Sequence, residues 1–431
     1  MRYLIKNGRV VDPANNIDSV MDLLITDGKI AEAGKDIKAP ADVIIDASGK
    51  IVAPGLVDMH THLREPGRED KETVRTGTIA ALCGGYTSIA CMPNTEPAID
   101  NVKMVKTLKD IIKKDALTNV FIIGAITEER RGIKIADIRG MKEEGVSAFS
   151  DDGSSVDDER VLLEALKTAK KEGTIIIEHC EDIKISANGV INEGFMSTKM
   201  GLRGIPKRAE YERVKRDIEL AKKASARIHI AHVSCKESVE AIRKAKQEGV
   251  GVTAETCPHY FALTEECCAT YDTNTKMNPP LRTKEDAEAI KEALKDGTID
   301  VIATDHAPHT DSEKDVEFDF APFGVIGLET ALSITAMELV EKGILSWKDL
   351  IIKMSLAPAR ILNIDRGDLK KGKAADIAII DPSGAYVYEK EKIRSKSKNS
   401  PFIGWPLKVK VSEIFVSGEL VMKEGAVISG S

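Results

Sequence analysis

No apolar run in this 431-residue chain approaches the roughly 18 residues that a membrane span requires. The opening Met1-Arg-Tyr-Leu-Ile-Lys6 breaks its short apolar stretch with a lysine, so it does not read as an export signal, and a cytoplasmic protein is expected. The seven cysteines are an odd number with no C-x-x-C pair, which speaks against a disulfide framework and against a structural zinc site. The adjacent Cys267 and Cys268 read as inert loop thiols. A basic stripe is missing as well: acidic and basic residues are mixed along the chain at a net charge of −7, so no nucleic-acid partner is expected.

What is present is a chain with 42% hydrophobic residues, long enough for one large domain and a smaller one. Residues 1–50 read as short strands (3–6, 22–26, 43–45) punctuated by Asp27-Gly28 and Ser48-Gly49. The C-terminal stretch has the same texture, with strands predicted at 376–380, 409–416 and 420–422. Between these ends, strand-like runs at 51–63, 86–94, 119–127, 146–152, 174–180, 227–234, 251–259 and 300–308 alternate with helical periodicity, as at 156–171, 207–223 and 284–295. Eight such units predict an α/β fold, a (β/α)8 TIM barrel over 53–366, flanked by β-rich segments 1–52 and 367–431. A doubly wound open sheet is the alternative, but the glycine fingerprint of a dinucleotide site does not follow the first strand. The longest irregular stretches, 264–282 and 309–324, follow late strands and read as functional loops.

Most of the eight histidines fall at or just past the C-terminal end of a proposed strand, the face where barrel enzymes keep their chemistry. His60 and His62 stand two apart on the first strand and so point the same way. His179 ends the fifth, His232 lies near the end of the sixth, and Asp305 near the end of the eighth. A lone histidine at such a place is more often a packing residue. Four imidazoles and a carboxylate on one face instead suit zinc or a similar divalent ion.

Gly55-Leu-Val-Asp58-Met-His60-Thr-His62 resembles the first-strand signature of the amidohydrolase superfamily, and the likeness runs through essentially the whole chain. That resemblance implies a metal-dependent hydrolase barrel beside a small β-sandwich built from both chain ends. It further implies metal binding by His60, His62, His179, His232 and Asp305, the last also carrying protons, with one or two Zn2+ ions per subunit. Many members bridge two metals with a carbamylated lysine after the fourth strand, but Phe149-Ser-Asp151-Asp152-Gly153 offers none there. It is similar to a dihydroorotase branch that uses an aspartate, and Asp152 is matched to that ligand. Asp151 is read as a turn or helix-cap residue.

Substrate choice among cyclic amides rests mostly on Arg64, whose guanidinium fork suits a carboxylate. His62-Leu-Arg64-Glu-Pro-Gly67 resembles the dihydroorotase form, whereas allantoinases carry asparagine at the arginine position and hydantoinases also lack the arginine. Met92-Pro-Asn94-Thr95, Met277-Asn278-Pro-Pro280-Leu-Arg282 and Asp305-His306-Ala-Pro308-His309 are similar to motifs of the same family. By that likeness Arg64, Asn94 and His309 hold a substrate carboxylate, while Asn278 and backbone near Pro322-Phe323-Gly324 meet the ring amides. The segment 395–402 also resembles the family but receives no catalytic role, and His229, His259 and His306 are read as structural, His306 as orienting Asp305 or its loop. The implied reaction is reversible hydrolysis of (S)-dihydroorotate to N-carbamoyl-L-aspartate in pyrimidine synthesis. The rivals are an allantoinase, a hydantoinase, or a non-catalytic barrel partnering aspartate carbamoyltransferase; a homo-oligomer or a complex with that transferase also suits an active enzyme.

Overall fold

The computed structural model describes residues 1–428. Eight parallel strands form its centre: β1 (Leu56–Thr61), β2 (Tyr86–Cys91), β3 (Asn119–Gly124), β4 (Ala148–Phe149), β5 (Ile176–Glu178), β6 (Ile228–Ile230), β7 (Val252–Thr256) and β8 (Val301–Ile302). Each pairs with the next in chain order. The ring draws closed where Thr61 bridges to His306 and the His62 amide donates to the His306 carbonyl at 2.9 Å. The buried Asp58 carboxylate strengthens this seam, accepting from the Thr304 amide at 3.3 Å and the His60 amide at 3.0 Å. The sequence-predicted (β/α)8 barrel is therefore the architecture found.

The outer helices follow from capping and periodicity. In Glu159–Lys171, Asp158 accepts from the Arg160 amide as N-cap, while Leu162, Ala165, Leu166 and Ala169 repeat at helical spacing and are buried. The helix starts later than the predicted residue 156 because Asp158 is extended to make that cap. Arg208–Ala224 buries Val214, Ile218 and Ala221 in the same way.

Several strands are shorter than the predicted runs, most clearly β4 and β8. Their apolar residues continue, but the chain leaves the ladder to turn site residues inward, with Asp305 at φ 47°. The predicted strand 51–63 is two strands in different sheets, Ile51–Pro54 and β1. Gly55 separates them, pressed so close to Thr87 that a Cβ would lie 2.1 Å from its Oγ1.

Ile51–Pro54 belongs to a second sheet, of nine strands, made from both chain ends. On one side of it lie Arg2–Asp12, Ile17–Thr26 and Lys29–Gly34; on the other lie Ile377–Val387, Pro406–Val416, Glu419–Lys423 and Ala426–Val427. Val43–Asp46 pairs with Arg2–Asp12 off this path. Tyr3 and Phe415 touch edge to face at 5.1 Å although two strands separate theirs in the sheet. At roughly 4.8 Å per strand, that contact requires the sheet to curl over its own core of Ile5, Leu23, Ile25, Val52, Ile377 and Ile379.

Candidate active site

The barrel strands bring six predicted ligands to one end. His60 lies in β1 and His62 just beyond it, Asp152 follows β4, His179 follows β5, His232 follows β6 and Asp305 follows β8. All six are buried. His60 Nε2 stands 3.3 Å from Asp152 Oδ1 and 3.5 Å from Asp305 Oδ1. His62 Nε2 lies 3.0 Å from Asp305 Oδ1 and 3.4 Å from Asp152 Oδ2. His232 Nε2 and His179 Nδ1 approach Asp152 Oδ1 at 3.5 and 3.7 Å. Asp152 thus turns one oxygen to His62 and the other to His60, His179 and His232.

Arg64, His232 and Asp305 adopt left-handed backbone at φ 62°, 34° and 47°. Such a conformation costs a residue with a Cβ about 1–2 kcal/mol. Here it aims these side chains back over the strand ends. Other non-glycine residues of the chain share this conformation, but these three carry it beside the cluster.

The donor set fits a divalent ion. His60 Nε2 and Asp152 Oδ1 are buried without a hydrogen-bond partner, a condition rare in protein interiors. Imidazole nitrogen and carboxylate oxygen are the donors such ions take. Two overlapping triplets, His60–Asp152–His232 and His60–His62–Asp305, hold ligand atoms within 4.8 Å of one another. The electrostatics agree: burial opposes charge on His60, but the carboxylates of Asp152, Glu255 and Asp305 outweigh it and raise its pKa well above the usual imidazole value. Burial likewise pushes Asp152 up, yet His60, His179 and His232 together hold it well below the ordinary carboxylate range.

Further groups orient the ligands. Glu255 in β7 takes His60 Nδ1 at 2.5 Å on one oxygen and His229 Nε2 at 3.2 Å on the other. Asn94 Oδ1 takes His62 Nδ1 at 2.8 Å. These contacts place a proton on each Nδ1 and turn Nε2 toward Asp152 and Asp305. Glu181 lies 3.3 Å from His179 Nε2 and accepts from Asn278 Nδ2 at 2.8 Å.

The adjacent aspartates separate cleanly. Asp151 does not cap a helix: it accepts from the amides of Ile126 and Thr127 at 2.8 and 3.1 Å, tying the chain after β4 to the end of β3. His306 lies beside Glu72 Oε2 at 3.2 Å and accepts from the Gly327 amide at 3.2 Å, so it orients the loop. His229 serves Glu255, and His259 stacks edge to face on Tyr260 at 4.2 Å.

A cavity of about 220 Å³ opens from the cluster and is lined by Arg64, Asn94, Asn278, His309, Phe323 and Gly324 together with His62, Asp152, His179, His232 and Asp305, while the fully buried His60 does not line it. Pro322 is outside this lining, and its carbonyl accepts from Lys314 Nζ at 2.8 Å. Arg64 donates from Nε to the Pro308 carbonyl at 3.2 Å, with Nη2 3.5 Å from His309 Nε2. Burial lowers the Arg64 pKa to about 10, which leaves it cationic at neutral pH. His309 donates from Nε2 to the Phe323 carbonyl at 2.8 Å and accepts at Nδ1 from Lys71 at 3.1 Å. Burial, then the charges of Arg64, Lys71 and Lys314, push its pKa far below the usual imidazole value, so it is neutral. Glu313 pairs with Lys71 at 2.8 Å and offsets its charge, which leaves the Arg64 guanidinium as the group on this wall suited to a carboxylate.

Residues 49–238 match the protein family described as dihydro-orotase-like. The dihydroorotase of Elusimicrobium minutum is 53% identical over 425 residues, covering 99% of this chain and 98% of that one. The chain belongs to the dihydroorotase family. The dihydroorotase of Geotalea daltonii is 52% identical over 424 residues, covering 98% of this chain and all of its own. Among solved structures, the L-hydantoinase (dihydropyrimidinase) from Arthrobacter aurescens superposes with a TM-score of 0.90 at 27% identity, covering 99% of this chain and 97% of its own. A D-hydantoinase gives 0.88 at 26%, covering 99% and 96%.

Within this dihydroorotase-family site, sequence reasoning missed Glu255, Glu181 and Lys71. Glu255 carried a readable signal, since a glutamate inside the apolar strand Val252–Thr256 is rarely buried without a charged or metal-linked partner. Glu181 and Lys71 stand in polar loops, and nothing in their local sequence marks them.

Proposed function

We propose that this dihydroorotase-family chain hydrolyses (S)-dihydroorotate reversibly to N-carbamoyl-L-aspartate, with His60, His62, Asp152, His179, His232 and Asp305 holding one or two zinc ions. The observation that carries the substrate reading is Arg64, a buried guanidinium opening into the same cavity as the ligand cluster. A ring amide bearing a carboxylate fits both at once; a ring without that carboxylate leaves Arg64 with only a backbone carbonyl and a neutral imidazole.

Zinc bound there supplies Lewis acidity, which brings the pKa of water towards about 7 and polarises a carbonyl. Arg64, Asn94 and His309 hold the carboxylate, and Asn278 with the backbone at Gly324 sets the ring amides; Pro322, outside the cavity lining and with its carbonyl taken by Lys314, is left out of that role. Asp305, held 3.0 Å from His62 Nε2, accepts the proton of the attacking water at a carboxylate oxygen. It returns that proton to the ring nitrogen as the C–N bond breaks, and ring closure reverses the order. In this reading 53–366 is the catalytic domain, supported by 1–52 and 367–431.

No described helix is long and apolar enough to cross a membrane. A cytoplasmic enzyme of pyrimidine synthesis, as a homo-oligomer or beside aspartate carbamoyltransferase, is the setting we propose; sedimentation with and without the transferase distinguishes the two assemblies.

Steady-state kinetics on dihydroorotate, hydantoin and allantoin test the reading. Dihydroorotate is expected to be the best substrate, and Arg64→Ala is expected to raise its KM roughly ten- to hundred-fold, the value of a charged hydrogen-bonded contact. Faster turnover of hydantoin or allantoin overturns the substrate, and an unchanged KM overturns the carboxylate contact.

A further inference from the structure

The segment 394–400, Arg-Ser-Lys-Ser-Lys-Asn-Ser, is polar enough to suggest an exposed linker, yet Ser395, Ser397, Asn399 and Ser400 are all buried. It leaves the nine-stranded sheet between Ile377–Val387 and Pro406–Val416 and reaches His309 and Gly324 of the cavity lining. Its first residues are fixed by Glu329, whose carboxylate accepts from the Arg394 amide at 2.9 Å and the Ser395 amide at 3.0 Å. Ser397 Oγ donates to the Lys71 carbonyl at 2.7 Å, in the loop after β1.

Asn399 completes the connection on the other side. Its Oδ1 accepts from the His309 amide at 3.1 Å, and its Nδ2 donates to the carbonyls of Ala307 and Gly324, each at 3.1 Å. One buried amide side chain therefore holds two parts of the loop after β8, at His309 and at Gly324. Gly324 itself has no room to adjust: at φ 124° a Cβ would fall 2.8 Å from Ala307 and 3.2 Å from His309 Nε2.

We propose that Asn399 is a positioning residue for substrate, holding His309 and Gly324 at their distance from Arg64, while Ser397 holds Lys71 against the same imidazole. The inference rests on the reading that Arg64 and His309 grip the substrate carboxylate. Metal ligands sit on or just past the barrel strands and make no hydrogen bond to Asn399 or Ser397, so these two residues act on substrate binding; the earlier Ser395 and Lys396 instead bond Glu72, the partner of His306. A chain segment contributed by the small β domain thus sets the substrate half of a site whose metal half belongs to the barrel.

The test is a KM-against-kcat comparison on zinc-loaded full-length protein, with metal content measured in parallel. Asn399→Ala is expected to raise KM for dihydroorotate about ten-fold or more, with kcat within about three-fold and zinc per chain unchanged, since small misplacements of binding groups are costly. Asn399→Asp keeps the acceptor but sets a carboxylate against two carbonyls, and should raise KM at least as much. A KM within about two-fold of wild type, or losses of kcat and zinc as large as the KM change, overturns the proposal. Should Asn399→Ala not fold, Ser397→Ala removes a single hydrogen bond and is expected to raise KM about three-fold at constant kcat; an unchanged KM overturns the proposal equally. Arg64→Ala separates the two layers. If it leaves KM unchanged, the carboxylate reading fails; if it raises KM while the Asn399 variants do not, only the positioning role fails.

Discussion

Glu255 holds two imidazoles with one carboxylate, and this fixes which nitrogen of His60 faces Asp152 and Asp305. Burial alone would favour its neutral form, but His60 and His229 outweigh that and keep its pKa well below the usual carboxylate value. Glu255→Gln should lower metal affinity about 10- to 100-fold, the usual consequence of losing a group that orients a ligand. Competition against a chromophoric chelator measures this, and equal affinity in the two proteins rules the orienting role out. His309 bears on stability through pH. It is neutral when folded and takes up a proton near pH 6.5 when unfolded. The unfolded chain therefore binds more protons below that pH, and the stability this residue contributes is lost as pH falls. Melting temperatures between about pH 8 and pH 5 should drop less steeply for His309→Asn than for wild type; parallel curves contradict the neutral assignment. At this scale the sequence is legible where residue type and strand position coincide, as for His60, His62, His179, His232 and Asp305. Glu255 eludes it because its meaning comes from a partner 195 positions away.

Two long irregular segments, 264–282 and 309–324, form one wall of the mouth, and buried lysines join them. Lys314 Nζ donates to the carbonyls of Thr273 at 3.0 Å and Pro322 at 2.8 Å. Lys276 Nζ donates to those of Phe318 and Asp319 at 2.7 and 3.0 Å. Burial lowers these ammonium groups to about 7 and about 8. Lys314→Met strips buried carbonyls of their donor and should destabilise the protein by about 2–3 kcal/mol. Urea unfolding of the zinc-loaded forms reads this directly, and superimposable curves would show that the bridge contributes nothing. Loop length alone marked both segments as functional, but a lysine within a polar loop reads as solvated, so the bridge was hidden. Strand ends were hidden for a related reason. Apolar runs continue past β4 and β8, while the backbone turns away to present Asp152 and Asp305.

The whole molecule joins a barrel to a sheet that neither chain end could complete alone. The β texture of both ends is visible in sequence, but their union through Ile51–Pro54 and Ile377–Val387 is a pairing across more than 300 residues and leaves no local trace. The barrel is easier to read, since each βα unit buries its own apolar face against its neighbours. Its closure brings the proposed ligands from five strands to one point, and the segment 394–400, between two strands of the nine-stranded sheet, reaches His309 and Gly324 of the same cavity. The central claim is that this point is a metal centre at which dihydroorotate is opened. Turnover of dihydroorotate and of carbamoyl-aspartate by protein stripped of metal and then reloaded with zinc tests it most directly. Stripped protein is expected to be inactive in both directions and zinc to restore both; full activity in metal-free protein, or none after zinc is bound, would contradict it.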